Sequence, residues 1–76
     1  MKTYTVQSVG EPMGLGITVE AYSALYAVAE VAGCDLLAVT LPIWRQGLDK
    51  WHRRYEVECY MPLDGSGRQW LVREVT

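Results

Sequence analysis

At 76 residues the chain makes one small domain (residues 1–76), and a chain this short buries only about 60% of the surface it exposes when unfolded. Only 21% of its residues are charged and the net charge is −2, which argues against a generic nucleic-acid binder, whose footprint is a basic excess. No apolar run approaches the roughly 18 residues of a membrane span, and residues 1–6 carry no apolar core of a signal peptide, so the expectation is a cytoplasmic protein without membrane contact.

Residues 3–9 alternate partly and are rich in β formers, so they read as a first strand with Tyr4, Val6 and Ser8 on one face. Three glycines and a proline across residues 10–16 then predict a loop or wide hairpin turn. In residues 17–21, Ile17, Val19 and Ala21 alternate with Thr18 and Glu20. A helix start capped by Thr18 also fits, but we read a strand ending at Ala21, with Ser23 as the N-cap of a helix.

Residues 24–32 are Ala-rich and are followed by Gly33 where a C-cap glycine belongs, so they predict the main helix. Leu25, Val28, Ala29 and Ala32 have the spacing of a face that meets a sheet. Its other side is also apolar or aromatic, with Tyr22, Tyr26, Ala27 and Val31, and Glu30 is its single charge. Tyr22, Tyr26 and Val31 are therefore a candidate homodimer face.

The apolar run 36–41 ends at Pro42 and reads as a buried strand. In residues 42–51, Pro42 suits a first helical position and Trp44, Leu48 and Trp51 recur at i, i+4, i+7. Despite Gly47, we read a short helical turn or ordered loop. Residues 53–61 alternate, with Tyr55, Val57, Cys59 and Met61 on one side and Arg54, Glu56, Glu58 and Tyr60 on the other. Asp64-Gly65 predicts a hairpin to a last strand over residues 69–75. The sum is an α+β domain: a four- or five-stranded antiparallel sheet, one face solvated, with one main helix (about residues 23–32) packed on the other.

Catalytic chemistry finds little support. Cys34 or Cys59 with His52 is the available thiol–imidazole pairing, and neither cysteine has a local signature. A zinc site would need those three residues to converge without a Cys-x-x-Cys unit, so no metal or cofactor is expected. Glu56 and Glu58 share a strand face, but cross-strand pairing to Arg68 and Arg73 explains them better than acid–base chemistry. Gly14-Leu15-Gly16 lacks the third glycine and the lysine of a phosphate loop. We expect no enzyme.

The stretch 44–55 is the most informative. It holds four of the seven basic residues, the single His and two of the three Trp. Trp44, Arg45, Lys50, Trp51, His52, Arg53, Arg54 and Tyr55 have the composition of a protein-binding hot spot. Basic groups interleaved with aromatics also suit phosphates and stacked bases, and packing of the Trp residues under the sheet is a third reading. The acidic balance ranks a protein partner above nucleic acid.

The order of residues 1–6, then Ile17-Thr18-Val19-Glu20-Ala21-Tyr22-Ser23, then an Ala-rich helix resembles small phage and mobile-element proteins, some anti-CRISPR proteins among them. The resemblance covers roughly the first 33 residues and transfers no functional residue. It implies an architecture and a phage or mobile-element setting in a bacterial host, not a target; the leading expectation is a protein-binding module, a phage-type inhibitor that acts by occluding a partner's surface. The apolar helix departs from that layout, where Glu or Lys would be common.

Overall fold

Five strands and one helix arise from these local patterns, with two segments exchanging roles. The computed structural model describes residues 1–10, 16–51 and 54–75. Most of the connection expected across 10–16, including Gly14 and Leu15, lies outside the described residues, as do His52 and Arg53.

Strand β1 (Lys2–Ser8) buries Tyr4, Val6 and Ser8 on one face, as its alternation requires. Strand β2 (Ile17–Ala21) pairs antiparallel with it, Tyr4 opposite Val19. Gly16 is needed there for space, because a Cβ would come within 2.7 Å of Thr5 Cγ2.

Helix α1 (Ala24–Ala32) comes next. Ser23 occupies the N-cap position in extended conformation, but its hydroxyl makes no capping bond; its carbonyl accepts from Ala27 N–H at 3.1 Å. Gly33 ends the helix in the left-handed region at φ +70°, and its N–H donates to the Ala29 carbonyl. The buried arc is rotated from the expected one. Ala24, Ala27 and Val28 are buried, while Leu25, Ala29, Val31 and Ala32 pack at its margins. Ala27 is thus inward: a small residue lets the helix backbone approach the sheet.

The run 36–41 is not a strand. Asp35 accepts from Leu37 N–H through its carboxylate at 3.2 Å, and Leu36–Ala38 form a 3₁₀ turn. A side-chain acceptor placed this way competes with a strand ladder. Leu37 is 89% exposed, and Val39 is the residue of the run that enters the core.

Nor are residues 42–51 helical: Trp44–Gly47 form strand β3. Strand β4 (Tyr55–Tyr60) pairs with it, Trp44 opposite Cys59 and Arg45 opposite Glu58. The ladder with β4 outweighs the helical spacing of Trp44, Leu48 and Trp51, which Gly47 already weakens.

Strand β5 (Trp70–Val75) returns beside both β4 and β1. The connection from β4 is wider than a two-residue hairpin. Asp64 accepts from the Ser66 N–H and hydroxyl, and Ser66 Oγ accepts from Arg68 N–H, so local side-chain bonds organise the turn.

All pairings are antiparallel, in the order β2-β1-β5-β4-β3. This is the α+β architecture expected, with five strands and one helix on one face. The helix contacts β2, β1 and β5. The core lies between them: Val6, Val28, Ala27, Val72, Tyr60 and Trp70. The opposite face of β4 is not simply solvated, because Val57 and Cys59, which point away from the helix, are both buried.

Candidate protein-binding surface

The chain reaches β3 after crossing from β2 at one edge of the sheet to the other. β3 is thereby an edge strand, and its residues Trp44, Arg45 and Gln46 are exposed. An edge presents backbone N–H and C=O groups without a strand partner. Along β3 these groups are flanked by large apolar side chains: Leu41 is 75% exposed, Ile43 47% and Trp44 46%. Leu41, Pro42, Trp44, Arg45 and Tyr55 line a shallow cleft of about 540 Å³.

Arg45 organises the centre of this surface. Its Nε donates to Glu58 Oε2 at 3.0 Å across the strands, and its guanidinium lies 4.7 Å from the Tyr55 ring centroid. The register shifts between Gln46 and Gly47, so that Gly47 faces Tyr55 instead of Glu56. This bulge brings Tyr55 to the Arg45 side and takes it out of the expected alternation with Val57 and Cys59.

Glu58 is therefore paired from β3. The Arg68 and Arg73 partners expected from the last strand are elsewhere: Arg68 lies over the Trp70 ring at 5.9 Å, and Arg73 is opposite Thr5. Glu58 Oε2 also accepts from the Tyr60 hydroxyl at 3.2 Å. Burial, then the Glu58 charge and this bond, hold the Tyr60 hydroxyl well above the ordinary tyrosine range, with Arg45 opposing.

At the end of the hairpin, Leu48 N–H donates to the Arg54 carbonyl at 2.6 Å. Leu48 and Trp51 are exposed, and the Lys50 ammonium sits 4.8 Å from the Trp51 ring. Of the eight residues proposed for binding, Trp44, Arg45 and Tyr55 gather at the cleft, and Lys50 and Trp51 lie at the tip. Arg54 is exposed and borders a second, larger cleft. His52 and Arg53 lie outside the described residues.

That second cleft, about 760 Å³, opens between the first turn of α1 and the part of the sheet the helix leaves bare. Tyr4, Tyr60, Glu56, Glu58 and Glu74 line it. Sequence reasoning missed it, because its residues come from three strands distant in the chain. Parity within each strand groups Tyr4 with Val6 and Glu74 with Val72, but it is the β1–β5 register that brings the two sets to one face.

On the outer side of α1, Tyr22 and Tyr26 meet edge to face with centroids 5.7 Å apart, beside Met1, Glu20 and Glu30. Val31 does not join them, being partly buried against the core.

The two cysteines are on opposite sides of the sheet. Cys34 packs at the margin of the helix-side core, while Cys59 is fully buried on the far face with Sγ 3.9 Å from Gln69 Oε1. Burial is the main force raising both thiol pKa values, which disfavours the reactive thiolate. Among the described residues no three His, Cys, Asp or Glu are grouped to hold a metal ion, and no helix is long and apolar enough to cross a membrane. In comparisons with known proteins the chain matches no family model, no curated protein and no solved structure.

Proposed function

We propose that this chain is a protein-binding module that presents the β3 edge and the β3–β4 hairpin to a partner and acts by covering that partner's surface. One observation carries the reading: Leu41, Trp44 and Tyr55 are exposed and line one cleft with Arg45 at an edge strand, and Ile43, next to Trp44 in the chain, is exposed too. Exposed apolar groups in one patch, joined by Trp, Tyr and Arg, are the usual ingredients of an interface core. The layout of the first 33 residues extends the proposal to an inhibitor encoded by a phage or mobile element and acting in the bacterial cytoplasm.

Nucleic acid is the second reading. Arg45 over Tyr55 and Lys50 over Trp51 place cations and aromatic faces together, as single-strand binders do.

Two experiments in parallel separate the readings. Affinity capture from a bacterial host lysate is compared between the native chain and a Trp44→Ala, Tyr55→Ala variant, and labelled oligonucleotides are titrated at low and physiological salt. A protein captured by the native chain and lost with the variant supports the module. Oligonucleotide binding that weakens steeply with salt promotes the second reading, because counterion release has that signature. Capture unchanged by the variant removes this surface from consideration.

A further inference from the structure

We propose that β2, the other edge of the sheet, pairs with β2 of a second copy of this chain, antiparallel about Val19, to make one sheet continuous through both copies of the five strands. The dimer does not rest on the β3 edge, which it leaves free at each outer end.

The two edges of this sheet are unlike. β3 is four residues long, carries the Arg45 charge, follows Pro42 and shifts register at Gln46/Gly47. All of these blunt an edge against a further strand, so side chains are left to carry the contact proposed there. β2 has none of them. Ile17–Ala21 contains no Pro, Lys or Arg, and its pairing with β1 runs from Ala21 to Ile17 without a shift. Ile17, Thr18 and Val19 are β-branched, the side chains that best suit a pleated surface. Among the described residues no strand pairs with the outer side of β2, and Ile17 stays 52% exposed. A regular, β-branched edge of this kind is a template for another strand.

The residues of β2 decide which strand. Turned antiparallel about Val19, Ile17 falls opposite Ala21 of the second copy and Thr18 opposite its Glu20. Apolar then meets apolar, and the Thr18 hydroxyl can donate to a carboxylate. Centring on Glu20 would set the two carboxylates face to face, and centring on Thr18 would shorten the ladder. The register with β1 puts Ile17, Val19 and Ala21 on the helix side, so both copies keep their helices on one face of the joined sheet. Helix α1 contacts β2, β1 and β5, which centres it over β1. With strands about 4.8 Å apart the two helices stand roughly 14 Å apart, beyond the roughly 8–10 Å of packed helices, and do not collide. Tyr22 and Tyr26, exposed and sharing a cleft with Glu20 and Ala21, border β2. The two Glu20 carboxylates are left as diagonal neighbours, a repulsion that salt screens.

Analytical ultracentrifugation of the full chain over a range of concentrations tests this, with variants at the exposed Thr18. The native chain should show a reversible monomer–dimer equilibrium that salt tightens. Thr18→Glu sets like charges opposite each other and should weaken the dimer, while Thr18→Lys sets opposite charges together and should tighten it. Each change counts twice by symmetry, so the expected shift is roughly two- to thirtyfold each way. The lysine result is the discriminating one, because a lysine on an edge strand ordinarily blocks pairing. The Trp44→Ala, Tyr55→Ala variant should leave the dimer unchanged, which separates this proposal from the fate of the β3 reading. If a Thr18 variant fails to fold, amide hydrogen exchange of the native chain decides instead, with protection across Ile17–Ala21 expected to rise with protein concentration. A chain that stays monomeric up to about 1 mM, a dimer weakened by both charges at Thr18 or by the β3 variant, or β2 protection that ignores concentration overturns the proposal.

Discussion

Arg45 and Glu58 face each other across β3 and β4 and form an ion pair of 3.0 Å, with side chains 39% and 21% exposed. The pair ties the edge strand to the sheet, and Tyr60 shares the same carboxylate oxygen. Arg45→Ala and Glu58→Gln should each lower the melting temperature. The double variant should lose less than the sum of the two, because they remove one shared interaction. Additive losses in thermal unfolding would mean that the pair contributes nothing.

The tyrosine at this junction predicts alkaline sensitivity. The Tyr60 hydroxyl has a higher pKa folded than unfolded, and Tyr4 shifts the same way. Their contribution to stability is complete below the unfolded value of about 10 and falls as pH rises through the window up to the folded values. Urea unfolding from pH 8 to 11 should show that decline, and Tyr60→Phe should flatten it. An unchanged slope in that variant would assign the decline to other groups.

Ala27 reports the rotation of α1. It is fully buried, so Ala27→Leu overpacks the helix–sheet contact and should destabilise by about 1–3 kcal/mol. Chemical denaturation measures this; a neutral result would restore the face centred on Leu25 and Ala29.

The helix end makes a separate prediction. Gly33 adopts φ +70° with nothing within 4 Å of a would-be Cβ, so Gly33→Ala strains the backbone without a clash. The expected cost is about 1–2 kcal/mol by denaturation.

Tryptophan fluorescence distinguishes surface from core. Trp44 and Trp51 are exposed, whereas Trp70 is buried. With single-Trp variants, acrylamide should quench the first two strongly and Trp70 weakly. On a partner binding at the β3 edge, Trp44 should become protected, and constant quenching of Trp44 in that complex would place the contact elsewhere.

Much of the architecture could be read from the chain alone, because its signals act over a few residues. Alternation in β1, β2 and β4, the Asp64-Gly65 turn before β5, alanine content in α1, and Gly33 at its end are local preferences that the tertiary contacts reinforce. β3 had no such signal. An edge strand exposed on both faces has no apolar period, and it is a strand because β4 supplies the ladder. The apolar run at 36–41 misled for the converse reason: it pairs with none of the described strands, and Asp35 turns it. The basic–aromatic stretch was legible as composition. That Arg45 would spend its charge on Glu58, that a bulge would carry Tyr55 to it, and that Tyr4 would meet Glu74 and Glu58 in a cleft depended on register between strands far apart in sequence, which only the folded sheet decides.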